Sequence, residues 1–133
     1  MGYTFYQYLA FIQPDSDAEP GKLKHYLESF YAGGVRPPQI ILTDKLITVA
    51  FDSYNFRIHY SDEPHVAVEA AELAEDSDAD WSEKHFDKEK LKSSSKRFEL
   101  SGDPDYDMDY FNDSLYIVEI IEKFNGVIVF NIS

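Results

Sequence analysis

The sequence predicts a single α+β domain over residues 1–133, and three observations carry that expectation. Short apolar runs of strand length alternate with segments whose apolar residues recur at helical spacing. The length is that of one domain. Hydrophobic residues make up 44% and aromatics 16%, enough for a packed core even though the net charge is -13.

The elements follow in order. YTFYQYLAFI at 3–12 is dense in aromatic and β-branched residues and ends at Pro14-Asp15, which predicts a strand. Ser16-x-x-Glu19 has capping-box spacing, and Leu23, Tyr26, Leu27, Phe30 and Tyr31 follow at helical intervals until Gly33-Gly34. QIIL at 39–42, LITVAF at 46–51 and NFRIHY at 55–60 are separated by connections of hairpin length and predict an antiparallel meander. Asp62 and Pro64 mark a helix entry, with Val66, Ala70, Leu73 and Ala74 as its apolar stripe. Residues 76–95 are polar and weakly patterned, with a second helical stretch ending at Leu91. KRFEL at 96–100 reads as a strand. Phe111, Leu115, Val118, Ile121 and Phe124 then form an amphipathic helix, with Phe111 on its core side. VIVFNI at 127–132 is the last strand.

This order, β-α-β-β-β-α-β-α-β, predicts a ferredoxin-like plait with an added hairpin: a mainly antiparallel sheet with its helices on one face. Such an architecture supports many unrelated functions and casts no functional vote.

Composition narrows the chemistry. The absence of cysteine excludes disulfides, thiolate metal sites and cysteine nucleophiles. No nucleophile elbow, phosphate-cradling glycine loop or dinucleotide fingerprint occurs, so no catalytic residue and no cofactor are expected. His25, His59, His65 and His85 lie in four different segments without metal-ligand spacing. The bases between Lys84 and Arg97 are interleaved with acids, which argues against nucleic-acid binding. No run is long and apolar enough for a membrane span, and the N-terminal segment lacks the basic stretch of a signal peptide, so a soluble, cytoplasmic protein is expected.

The acidity is lopsided. Residues 1–60 hold 6 acids and 5 bases, residues 61–90 hold 11 and 3, and residues 91–133 hold 8 and 4. Its densest part is GDPDYDMDYFND, where Asp103, Asp105, Asp107 and Asp109 alternate. The alternation resembles half of a calcium loop, but Met108 occupies the position of the turn glycine and Ser114 that of the bidentate glutamate, so no metal site is expected. Asp107 or Asp109 would instead cap the following helix, where the macrodipole favours carboxylates.

Acidity can serve solubility alone, yet that purpose needs no concentration after residue 60. The expected function is therefore a non-catalytic, small acidic protein-binding domain of the immunity or inhibitor type, neutralising a basic partner. Asp76, Asp78, Asp80, Trp81, Asp103, Asp105, Tyr106, Asp107, Asp109 and Tyr110 are its candidate contacts, since aromatic rings beside fixed charges suit an interface centre. The alternative is an enzyme or small-ligand domain with a pocket lined by the aromatics of the first strand. A homodimer is compatible with either, through LITVAF or VIVFNI, if one of them lies at a sheet edge.

Overall fold

The computed structural model of the chain describes residues 4–34, 37–76 and 88–132. Six strands form one sheet: β1 (Phe5–Ile12), β2 (Gln39–Thr43), β3 (Leu46–Ala50), β4 (Asn55–Ser61), β5 (Lys96–Gly102) and β6 (Val127–Asn131). The helices are α1 (Pro20–Tyr31), α2 (Pro64–Asp76), the single turn and a half of α3 (Lys88–Lys92), and α4 (Phe111–Ile121).

The strands lie in the order β2-β3-β4-β5-β1-β6, and every neighbouring pair is antiparallel. The α+β class and the antiparallel meander therefore stand as expected, but the order departs from that of a ferredoxin-like plait. A plait sets one strand between β1 and the strand that follows α1. Here the chain that leaves α1 crosses to the far edge and works back through β2, β3 and β4, so three strands separate β1 from β2.

The helices are not on one face. Alternate residues of β1 point opposite ways: Ala10 and Ile12 join a core with Leu23 and Leu27 of α1 and Ile117, Ile120 and Ile121 of α4. Phe11 points the other way and packs with Val66, Ala70 and Ala74 of α2, Leu91 of α3 and Phe130 of β6. The physical reason is visible in FYQYLAFI, which ends in four consecutive apolar residues; a strand apolar on both faces must be covered on both.

The second face also holds a buried guanidinium. Arg97 is only 6% exposed on β5, and its Nε donates to Glu99 at 2.7 Å while Nη1 stands 2.8 Å from Glu69 of α2. The Glu69 contact is an ion pair without hydrogen-bond alignment. The guanidinium also lies 5.5 Å from the Phe11 ring centre. Because an unpaired charge is costly to bury, these contacts tie α2 to this register of the sheet.

Helix entries differ from the capping pattern read in the sequence. Glu19 is the N-cap of α1 and makes no side-chain cap; Pro20 opens the helix instead. Ser16 accepts from Ala18 N–H and donates to the Asn125 carbonyl, and Asp17 accepts from Asn125 N–H at 3.0 Å. Ser16 of the expected box, together with Asp17, thereby pins the turn before β6 against the end of β1. Gly126 sits in that turn with φ of 74°, and a side chain there would also crowd Gln13 and Ser16 at 3.3 Å. Asp62, expected to cap α2, pairs with Lys45 at 2.9 Å across the hairpin end.

Gly102, at the end of β5, tests the tightness of the packing. It pairs with Phe5 on one side and Phe56 on the other. A Cβ there would overlap the Tyr54 hydroxyl, which donates to the Asp103 carbonyl at 2.6 Å, and would stand 3.1 Å from the Phe56 ring. Gly102→Ala is expected to cost about 2 kcal/mol, read as a lower denaturation midpoint in urea. Adding Tyr54→Phe removes the overlapping oxygen, so the double variant should lose less than the sum of the two single losses. Additive losses would show that the overlap is relieved elsewhere.

Candidate functional site

The acidic loop 103–110 runs from the end of β5 into α4 and is built around one carboxylate. Asp105 is buried at 6% exposure. It accepts the Tyr6 hydroxyl at 2.7 Å, Asp109 N–H at 3.0 Å and Tyr110 N–H at 2.8 Å. Neither Asp107 nor Asp109, which the sequence suggested as caps, holds the helix entry. Tyr110 is the N-cap of α4 and makes no side-chain cap. Asp105 gathers the N–H groups that precede the helix, so its charge is met by three donors in a site closed to water.

Tyr6 reaches Asp105 because β1 is irregular there. The β1–β5 register shifts between Phe5 and Tyr8, and Tyr6 adopts φ of 56°. A tyrosine in the left-handed region is strained. The bulge turns its ring between Phe56 and Phe111, at 6.1 Å from each. Met108, at the crest of the loop, is strained in the same way with φ of 60°.

Asp103 is also engaged. Its carboxylate accepts Arg57 Nη1 at 2.7 Å and Asn55 N–H at 3.0 Å, which fastens the loop to β4. Tyr110 stacks on Tyr54 at 4.2 Å with the rings 9° from parallel. A second tyrosine–carboxylate pair joins the helices, where the Tyr31 hydroxyl donates to Asp113 at 2.8 Å.

The residues left on the surface are Tyr106 at 74% exposure, Met108 at 59%, and Asp107 and Asp109 beside them. Phe111 and Leu115 continue this apolar strip, one turn apart and each 38% exposed. The sequence reading put Phe111 in the core. The buried side of α4 is Ser114, Ile117, Val118, Ile120 and Ile121, which leaves Phe111, Leu115 and Tyr116 outward. The exposed Phe30 ring of α1 meets Tyr116 at 5.2 Å and extends the strip across the helix layer. The surplus of apolar residues in α4 over those its buried side takes was the sequence signal for Leu115 and Tyr116.

Of the ten candidate contacts, Tyr106, Asp107 and Asp109 are exposed together, Asp103 and Tyr110 are partly covered, and Asp105 is an internal support. Asp78, Asp80 and Trp81, with the side chain of Asp76, lie outside the described residues. The acidic helix α2 covers the second face of the sheet and α4 the first, so the two acidic stretches are carried by helices on opposite faces. Among the described residues no group of three His, Asp or Glu side chains is placed to hold a metal ion.

Comparison with protein-family models, curated proteins and solved structures finds no match to this chain.

Three phenols around the loop and helix entries have raised pKa values. Burial first, then the Asp105 carboxylate, raises Tyr6; burial and then Asp113 raise Tyr31; burial and the charge of Asp105 raise Tyr54. An unfolded tyrosine ionises near pH 10, roughly. The folded chain holds these protons above that point, so their stabilising contribution is complete below about pH 10 and is lost as pH rises past it. Thermal midpoints should therefore fall steeply on the alkaline side, with phenolate absorbance appearing together with unfolding. Tyr6→Phe should make that fall shallower. Asp105→Asn should cost about 2–3 kcal/mol at neutral pH, because an amide turns a donor toward groups that are themselves donors. A neutral effect of Asp105→Asn in urea unfolding would contradict the central role given to this carboxylate.

Proposed function

We propose that the chain is a non-catalytic, cytoplasmic acidic protein-binding domain of the immunity or inhibitor kind. It docks on a basic protein through the exposed part of the 103–116 segment. The observation that carries this reading is the strip of Tyr106, Met108, Phe111 and Leu115, exposed beside Asp107 and Asp109. Residues 98–122 hold eight acids and not one lysine or arginine. Apolar anchors ringed by one sign of charge suit a partner of the opposite sign: the charge steers encounter and the rings hold the complex. Active clefts of enzymes that act on nucleic acid have that basic character, because their substrate is anionic.

Backbone strain supports the same reading. Met108 holds a left-handed backbone and exposes an apolar side chain, two costs that a glycine would remove. That geometry holds an apolar side chain outward within the proposed contact face.

The test begins with the partner captured at low salt from the native lysate, then purified and titrated against the chain. Binding should weaken as salt rises, and Asp107→Asn with Asp109→Asn should flatten that dependence. Tyr106→Ala should raise the dissociation constant by about tenfold or more, corresponding to about 1.4 kcal/mol. Met108→Gly should weaken binding while raising stability by roughly 1 kcal/mol through relief of the left-handed backbone. A complex indifferent to salt and to all of these changes would refute this face as the interface.

A further inference from the structure

The two edges of the sheet are guarded differently. β2, at one edge, is preceded by Pro37-Pro38 and left through the Asp44-Lys45 turn, and its residues 39, 41 and 43 are exposed. Proline and charge at a strand's ends are the usual protection against pairing with another chain. β6, at the other edge, has none of these. From Val127 to Ile132 there is no charged residue and no proline, and its register with β1 runs without a shift from Val127 to Asn131.

The ladder shows which backbone groups β6 turns outward. Ile132 N–H donates to the Gln7 carbonyl and Gln13 N–H donates to the Gly126 carbonyl. In an antiparallel pair the groups directed at the neighbour alternate. Positions 126, 128, 130 and 132 therefore face β1, and Val127 and Val129 direct their N–H and C=O groups away from it. The side chains beside this edge are apolar on both sides of the sheet. Val127 and Val129 are half-buried against the first core, Ile128 is half-buried against the second, and Ile132 is 49% exposed.

We propose that β6 seats a second copy of this chain, the two β6 strands pairing antiparallel about a two-fold axis to join two sheets into one. Charge selects this occupant. Residues 122–133 carry one acid and one base, so this edge is neutral in a chain of net charge -13. A basic partner is drawn to the acidic surface and gains nothing here, whereas an uncharged apolar strand is met best by an uncharged apolar strand. A strand paired antiparallel with itself satisfies the same groups on both copies, as a closed two-fold interface requires. The homodimer is independent of the reading of the acidic loop, and salt separates the two. Screening relieves repulsion between two acidic copies and should tighten the dimer, while it weakens a complex with a basic partner.

Sedimentation equilibrium of the full chain at low and raised salt tests the pairing. The expected result is a species of twice the chain mass whose dissociation constant falls as salt rises. Val129→Pro removes an outward N–H but no bond to β1, and should weaken the dimer by about tenfold or more with the circular dichroism of the monomer retained. Asn131→Lys, at an exposed position, places a lysine on the edge and should also weaken it, which keeps the proposal open to test if the proline variant fails to fold. A wild-type chain that stays monomeric up to about 1 mM, where an interface of even millimolar affinity is half-occupied, overturns the proposal. So does a dimer that Asn131→Lys leaves unchanged.

Discussion

The requirement that β1 be buried on both sides organises this molecule. Leu9, Ala10, Phe11 and Ile12 run consecutively, and in a strand consecutive residues look in opposite directions. Ala10 and Ile12 find α1 and α4, while Phe11 finds α2, α3 and Phe130. A sheet covered on one face only would leave Phe11 in water, and the fully buried Phe11 ring shows how completely the second layer removes it. β1 also lies between β5 and β6, so it has a neighbour along each side as well as a layer on each face.

Covering two faces has an electrostatic consequence. β5 presents Phe98 and Leu100 to the first core, but the alternating residues Arg97 and Glu99 must then lie on the second side, partly beneath α2. Arg97 meets both Glu99 and Glu69 there, and Glu99 also stands 3.4 Å from His59 Nδ1. The second layer is thus apolar where β1 and β6 meet α2 and α3, and ionic where β5 meets α2. On the first face the same logic produces Asp105, a carboxylate enclosed where the chain leaves the sheet and satisfied by Tyr6 and two backbone N–H groups. In both places a buried charge is met by partners from more than one element.

Much of this was legible in the residues. Strands with local alternation or strong β-branched content, such as LITVA and VIVFN, fall where their composition puts them, because that information is contained within five or six residues. Strand order was not legible. The route from α1 to β2 spans the width of the sheet, and nothing between Gly33 and Gln39 encodes where the far edge lies. Capping failed for a related reason. Ser16, expected to cap α1, accepts from Ala18 N–H and donates to Asn125, a contact across more than a hundred residues. At the candidate site, acidity and aromaticity identified the loop, yet its division into support and surface needed the fold. Asp105 and Asp107 are the same residue type two positions apart, one at 6% exposure and the other exposed.

The charge imbalance also bears on how such a domain stays folded. Eight acids without a base over residues 98–122 repel one another, and Lys123 and Arg57 lie at the margins of that segment in sequence or space. Three features hold the segment together against this repulsion. Asp103 pairs its charge with Arg57, Asp105 accepts from three neutral donors, and Asp113 accepts the Tyr31 hydroxyl, so the carboxylates nearest the core are stabilised by contacts within the chain. Asp107 and Asp109, at the exposed crest, are left for solvent cations or for a cationic surface. The loop thereby divides its carboxylates: the inner acids build the structure by accepting hydrogen bonds and an ion pair, and the outer acids remain on its surface.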